Sequence, residues 1–151
     1  MKALLLSIVS ICVLFAGNTK EAATALHPGK QNRYHAAIER AKVEKKMLVM
    51  VIVKENCPWC HKLLRKTLAD TEVKKALENT IVLIVDKDAS YPSAFKVTLF
   101  PSIFYIDYAS ETSVYENVGY VDTKEFLLDL RESIKTRDAL YREEERPEER
   151  P

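Results

Sequence analysis

A continuous apolar run, Met47–Val53, that leads directly into two cysteines, Cys57 and Cys60, constrains this chain more than any other feature. A strand that is apolar at every position, rather than at every second one, is covered on both faces. A second run of the same kind, Ile81–Val85, predicts a second buried strand. The chain therefore needs a layered fold in which helices cover both faces of a sheet.

Apolar residues elsewhere recur at the spacing of helices or alternate as they do in half-buried strands. The predicted helices are residues 31–46, a segment from Cys57, a short segment after Asp70 and a last segment after Asp122 or Thr123. Residues 102–106 and 113–118 are expected to pair as a hairpin. Strands that alternate with helices favour parallel pairing, and the hairpin adds antiparallel strands. The predicted fold is α/β, with a central mixed β-sheet flanked by helices on both faces.

The first residues have the layout of a secretory signal peptide. Lys2 precedes an apolar run, Ala3–Phe15, which is shorter than the about 20 residues that a membrane-spanning helix needs. We expect residues 1–25 to be removed by cleavage after Ala25, or alternatively after Gly17, and an uncleaved N-terminal anchor is the competing interpretation. The mature protein would be exported, to the periplasm of a bacterium, without a stable membrane span.

The rest of the sequence has room for one domain. The chain has 151 residues, of which 47% are hydrophobic, and this is enough for one core. We expect a domain over residues 26–136 and a charged tail, either disordered or a frayed helix, over residues 137–151. The 23 basic and 22 acidic residues nearly cancel, so the charge gives no indication of nucleic-acid binding.

Loss of the leader would remove Cys12 and leave only Cys57 and Cys60. A disulfide between residues so close in sequence closes almost no loop and adds little stability, so chemistry explains the pair better. If Cys57 is the N-cap of a helix, Pro58 takes the first helical position, and the amides of Trp59 and Cys60 point at the Cys57 sulfur. These donors and the helix dipole favour the thiolate over the thiol.

We therefore expect Cys57 to be the nucleophile and Cys60 to be the resolving thiol, which forms or breaks a disulfide with it. Pro58 and Trp59 are expected on an apolar rim that receives a substrate. His61 has two interpretations: its imidazole helps to hold the thiolate or moves a proton, or it points to solvent.

These residues together resemble the thioredoxin-like superfamily. The resemblance rests on the buried strand, on Cys57-Pro58-Trp59-Cys60 at a helix start, on Leu99-Phe100-Pro101-Ser102-Ile103, and on the hairpin and helix that follow. It covers residues 31–135 and implies a thioredoxin fold with a cis peptide bond before Pro101. It also implies that Phe100 and Pro101 bind substrate, and that the protein exchanges disulfides with cysteine-containing proteins and with a redox partner that the sequence does not identify.

The sequence departs from the thioredoxin pattern around the cysteines. Val51 stands where thioredoxins have a buried acid, Val82 where they have a lysine, and Asn56 where a tryptophan commonly precedes the first cysteine. The dipeptide between the cysteines is Pro-Trp and not Gly-Pro. Proton transfer to and from Cys60 then needs water or another base, and the general activity of cytosolic thioredoxins is not expected.

We expect a reductase, because nothing in the sequence resembles the large helical insertion of the dedicated thiol oxidases of this fold. We also expect the protein to act as a monomer without a cofactor. The alternatives are an oxidase or isomerase of the same fold, and a non-catalytic module that binds peptides at Phe100 and Pro101. A zinc or copper site at Cys57, Cys60 and His61 is not expected, because a closed zinc site needs four ligands and the sequence has no second such group.

Overall fold

In the computed structural model of the protein, residues 33–144 are described. The regular elements are helix α1 (Arg33–Glu44), strand β1 (Met47–Val53), helix α2 (Pro58–Lys62), helix α3 (Thr71–Leu77), strand β2 (Thr80–Asp86), strand β3 (Ser102–Ile106), strand β4 (Ser113–Val118) and helix α4 (Thr123–Glu144). A π-helical turn, Leu63–Thr67, continues α2, and a 3-10 turn, Ser93–Phe95, lies between β2 and β3. The expected signal peptide lies outside the described residues.

The four strands form one mixed sheet in the order β2-β1-β3-β4. β1 pairs in parallel with β2, from Met47 opposite Thr80 to Val53 opposite Asp86. β3 is antiparallel to both β1 and β4. Parallel pairing of β1 and β2 follows from the helical crossover between them, and the hairpin supplies the antiparallel pair. The mixed sheet and its flanking helices confirm the predicted α/β class.

The central strand β1 supplies side chains to two separate cores. Successive side chains of a strand point to opposite faces, so an apolar strand fills both sides of a sheet. Leu48, Met50 and Ile52 pack with α1, and Met47, Val49 and Val51 pack with residues of α3, α4 and the π-helical turn. Each of these six side chains is 0% exposed. Burial on both faces explains why the run has no polar residue.

Strand β2 differs from the prediction of a strand covered on both faces. It lies at the edge of the described sheet, and only Ile81, Leu83 and Val85 belong to the core shared with α1. On its other face, α3 contacts the strand but leaves Val82 and Ile84 40% and 36% exposed. The seven-residue α3 is too short to cover this face.

Helix α4 extends into the segment expected to form the tail. Helix α4 continues to Glu144, so residues 137–144 are helical, while the remainder of the expected tail lies outside the described residues. The hydroxyl of Tyr141 donates to the carboxylate of Asp107, and its ring centroid is 5.8 Å from that of Tyr108. These contacts fasten the last turns of α4 to the turn that joins β3 and β4.

The buried carboxylate of Asp107 makes this contact dependent on pH. Burial alone would raise the pKa of Asp107, but hydrogen bonds from Tyr141 and Ser110 outweigh burial and hold the pKa below its ordinary value of 3.8. A group whose pKa is lowered by folding stabilises the fold above the pKa that it has when unfolded. That stability is lost as the pH falls through the lowered value.

We predict that Tyr141→Phe lowers the free energy of unfolding at pH 7 by about 1.5–3 kcal/mol, because a hydrogen bond to a charged group is removed. The difference from the unchanged protein should shrink as the pH falls below 3.8, the ordinary pKa of Asp107, and through its lowered value, because the carboxylate then loses its charge. Urea unfolding at pH 7 and pH 3 measures both quantities. Tyr115→Phe, at a residue that is 46% exposed, is the matched control. An equal loss in the two variants would contradict the role of Asp107.

Candidate active site

The cysteine pair lies where the central strand ends and α2 begins. β1 ends at Val53, and Asn56 turns the chain with a positive φ of 53°. Asparagine adopts this left-handed conformation more readily than a bulky aromatic residue does. The departure at Asn56 therefore has a local structural reason. The turn places Cys57 at the N-cap of α2, in an extended conformation with φ −112° and ψ 100°.

The backbone of α2 surrounds the sulfur of Cys57. Pro58 occupies the first helical position, as predicted, and the amide of Cys60 donates to Cys57 Sγ at 3.1 Å. The other predicted donor, the amide of Trp59, makes no such bond in the structure. The amide of His61 donates to the carbonyl of Cys57 at 3.0 Å and closes the first helical turn.

The two cysteines are joined by a disulfide, with their Cα atoms 5.2 Å apart. Cys57 is 4% exposed and Cys60 is 2% exposed, so both sulfurs lie at the base of a covered site. Trp59, between them, is 56% exposed. The structure thus combines a shielded disulfide with an apolar side chain that faces solvent beside it.

A second segment, remote in sequence, reaches the disulfide from the start of β3. The carbonyl oxygen of Phe100 is 3.8 Å from Cys57 Sγ, and the peptide bond between Phe100 and Pro101 is cis. Pro101 is buried, Phe100 is half-buried, and Leu99 is 64% exposed. The structure therefore brings Phe100 and Pro101 to the cysteine pair.

A third segment, which the sequence did not identify, completes the rim of the site. The ring centroid of Tyr120, in the connection after β4, is 5.8 Å from that of Trp59. Lys62 Nζ lies 5.1 Å from the Trp59 centroid and 4.1 Å from the Tyr120 centroid. Lys62 follows Trp59 by three residues and so shares a helix face with it. The sequence spacing could therefore have predicted that these two side chains lie together. Nothing in the sequence points to Tyr120.

The π-helical turn attaches α2 to this third segment. The amide of Leu68 donates to the carbonyl of Leu63, five residues back, so the turn is wider than an α-helical turn. Thr67 is fully buried, and its hydroxyl donates to the carbonyl of Val121 at 2.7 Å. This bond lies one residue from Tyr120 and positions Tyr120 against Trp59.

Among the described residues, two others singled out by the sequence, His61 and Val51, place no polar group against the disulfide. The side chain of His61 is exposed and has no hydrogen bond or ion pair within residues 33–144, which agrees with the interpretation that it points to solvent. Val51 is buried next to Leu63 and Ile103, so the chain supplies no carboxylate at this position. In the described part of the chain, no group of three or more His, Cys, Asp or Glu side chains is arranged to hold a metal ion.

Comparisons with known proteins place this site in a family. A family model described as a thioredoxin-like domain matches residues 34–133. The chain belongs to the thioredoxin-like family. Its disulfide-bonded Cys57 and Cys60, in the Cys-x-x-Cys spacing, define it as a thiol–disulfide oxidoreductase. A comparison with curated protein sequences found no match.

Solved structures show the same fold at low sequence identity. A thioredoxin from Thermus thermophilus is 23% identical with a TM-score of 0.62, covering 72% of this chain and 88% of its own. The C-terminal domain of DsbD from Neisseria meningitidis, in the oxidised form, is 18% identical with a TM-score of 0.57, covering 66% and 90%. The periplasmic thioredoxin SoxS from Paracoccus pantotrophus is 15% identical with a TM-score of 0.51, covering 60% and 98%.

We predict that Thr67→Val lowers the free energy of unfolding by about 1–3 kcal/mol, because the buried carbonyl of Val121 loses its donor while the side-chain shape is kept. Chemical unfolding measures the loss. Thr67→Ser retains the hydroxyl and is the matched control for the hydrogen bond. A free energy of unfolding for Thr67→Val equal to that of the unchanged protein would contradict the contribution of this hydrogen bond.

Proposed function

We propose that the protein is an exported thiol:disulfide reductase that transfers two electrons from Cys57 and Cys60 to disulfides of protein substrates. The observation on which this rests is the shielded disulfide at the start of α2, with the Phe100 carbonyl 3.8 Å from Cys57 Sγ. A structural disulfide of such short span would contribute little to stability. A redox role accounts for both its position and its surroundings.

The reaction begins in the reduced protein with the thiolate of Cys57. The amide of Cys60, which lies 3.1 Å from Cys57 Sγ, favours the thiolate. The thiolate attacks one sulfur of a substrate disulfide, that disulfide breaks, and the other substrate sulfur leaves as a thiolate and takes up a proton. The product is a mixed disulfide between the substrate and Cys57.

Cys60 then resolves the mixed disulfide. Its thiol gives its proton to water, because position 51 is a buried valine and supplies no carboxylate. The resulting thiolate attacks Cys57 Sγ, the second substrate sulfur leaves as a thiolate, and Cys57 and Cys60 form the disulfide. Two electrons have passed to the substrate. A second protein with a reactive dithiol returns two electrons and restores the reduced pair.

Phe100 and Pro101 bind the substrate backbone in this proposal. Phe100 is half-buried beside Cys57, and Leu99, 64% exposed, precedes it on the same segment. An extended substrate strand can pair with the backbone here while its disulfide meets Cys57. Trp59 supplies the neighbouring apolar surface.

Export and the reductase direction depend on separate observations. Export is supported by the leader-like segment Met1–Ala25 and by the fold shared with a periplasmic thioredoxin. Among the helices of residues 33–144, none has the length and apolar character needed to cross a membrane. The reductase direction is supported by the short connection between β1 and β2. Within the described chain it consists only of α2, its π-helical turn and α3, and so it lacks the large helical insertion of the dedicated thiol oxidases of this fold.

We predict that Cys57→Ser abolishes the reduction of a protein disulfide, because the attacking thiolate is lost. Cys60→Ser should instead accumulate a mixed disulfide through Cys57, because the resolving thiol is missing. Non-reducing electrophoresis and mass spectrometry of the trapped adduct measure these outcomes. Ser113→Ala, at the far end of β4 from the cysteine pair, is the control variant and should react as the unchanged protein does. Full activity in Cys57→Ser would contradict the role of Cys57, and peptide binding without any disulfide reduction in the unchanged protein would favour a peptide-binding module.

A further inference from the structure

Two lysines beside the disulfide are held against aromatic rings of the rim. Lys62 lies over both Trp59 and Tyr120, at 5.1 and 4.1 Å from the ring centroids. Lys54 lies 5.6 Å from the ring centroid of Phe100, the residue whose carbonyl approaches Cys57. A ring occupies one side of an ammonium group, which leaves other N–H donors for an acceptor outside the protein. Both lysines are thus placed to receive an anionic group.

The exposed face of α2 and of the π-helical turn after it extends this positive surface. Lys62, Arg65 and Lys66 line one surface depression together with Pro58, the residue between Cys57 and Trp59. None of these three cations, nor Lys54, forms an ion pair with an acidic side chain within residues 33–144. The charge at this end of the molecule is therefore not neutralised by the fold.

Two acidic residues lie close in the sequence to these cations or to Tyr120. Glu55 is exposed next to Lys54, and Asp122 follows the Tyr120 segment. The Asp122 carboxylate accepts a hydrogen bond from the amide of Glu125 at the start of α4, and neither Asp122 nor Glu55 forms an ion pair within residues 33–144. The whole chain is almost neutral, with 23 basic and 22 acidic residues. The positive surface at the cysteine pair is thus a local feature.

We propose that the protein selects substrate disulfides that are flanked by acidic residues. The inference rests on the proposed function. The partner is a polypeptide whose cystine meets Cys57 while its aspartate or glutamate side chains meet Lys62 and Lys54. Arg65 and Lys66 attract the same segment from the π-helical turn that continues α2. Opposite charges at an interface raise association rates by about 10- to 1000-fold, and salt weakens the effect.

The positive surface also has a second effect, which the test must separate from recognition. Cations near Cys57 favour its thiolate and so raise its reactivity toward every disulfide. Reaction with iodoacetamide, a neutral reagent, measures the reactivity of Cys57 alone. Recognition of acidic partners is measured only by the preference between two substrates.

The test uses the reduced full-length chain and two disulfide-bonded peptides that differ only in having glutamates or lysines beside the cysteines. Fluorescence of Trp59, the single tryptophan of the chain, follows oxidation of the cysteine pair by stopped flow. Rates are divided by those of the same peptides with dithiothreitol, which corrects for their intrinsic reactivity. We expect the glutamate peptide to react about tenfold faster at low salt and the preference to disappear at 0.5 M NaCl.

A pair of matched variants locates the preference. Lys62→Glu, Arg65→Glu and Lys66→Glu, made together, should reverse it. Lys74→Glu, Lys75→Glu and Lys124→Glu change the net charge equally at exposed positions of α3 and α4 and should leave it unchanged. Equal normalised rates for the two peptides in the unchanged protein, or equal loss of preference in both variants, would overturn the inference. Failure to react with either peptide would instead contradict the proposed function.

Discussion

Burial of β1 on both faces determines where every other part of the site lies. The strand has helices on each side and neighbouring strands at each edge, so its direction and end point are fixed by two cores at once. Six consecutive side chains, Met47–Ile52, are 0% exposed, and apolar burial on this scale is the dominant favourable contribution to folding. The chain leaves the sheet directly after β1 and turns at Asn56 into α2. Cys57 therefore follows an element that is buried on both faces, which suits a group that must meet a substrate in one geometry.

The site is assembled from segments that come from three places in the sequence. The N-cap of α2 supplies the disulfide, the start of β3 supplies Phe100 beside it, and the connection after β4 supplies Tyr120. β3 reaches the site because it is the antiparallel neighbour of β1, so its first residues lie next to the last residues of that strand. The connection after β4 reaches it through the bond between Thr67 and Val121. Each of the three depends on pairing or packing that is not local to the cysteines.

Local sequence patterns predicted much of this arrangement, and non-local contacts explain what they missed. The apolar run of β1, the Cys-x-x-Cys spacing and the proline at the first position of α2 are local signals, and the structure agrees with each. The exposed face of β2 was missed because periodicity reports apolar character and not whether a neighbouring strand or helix is present. The attachment of the end of α4 was missed because Tyr141 stands among charged residues and only its contact with Asp107 shows what it does. Tyr120 carried no signal at all, because its partner Trp59 is far away in the sequence.

The proposed function requires Cys57 and Cys60 to be a redox couple that gives electrons to substrates. The reduction potential of the pair, measured by Trp59 fluorescence in a series of glutathione buffers, tests this most directly. We predict one two-electron transition with a midpoint more reducing than about −150 mV, since strong oxidants of this fold lie near −120 mV. A midpoint more oxidising than about −150 mV would contradict the reductase direction. The absence of any transition linked to the redox buffer would contradict the redox function itself.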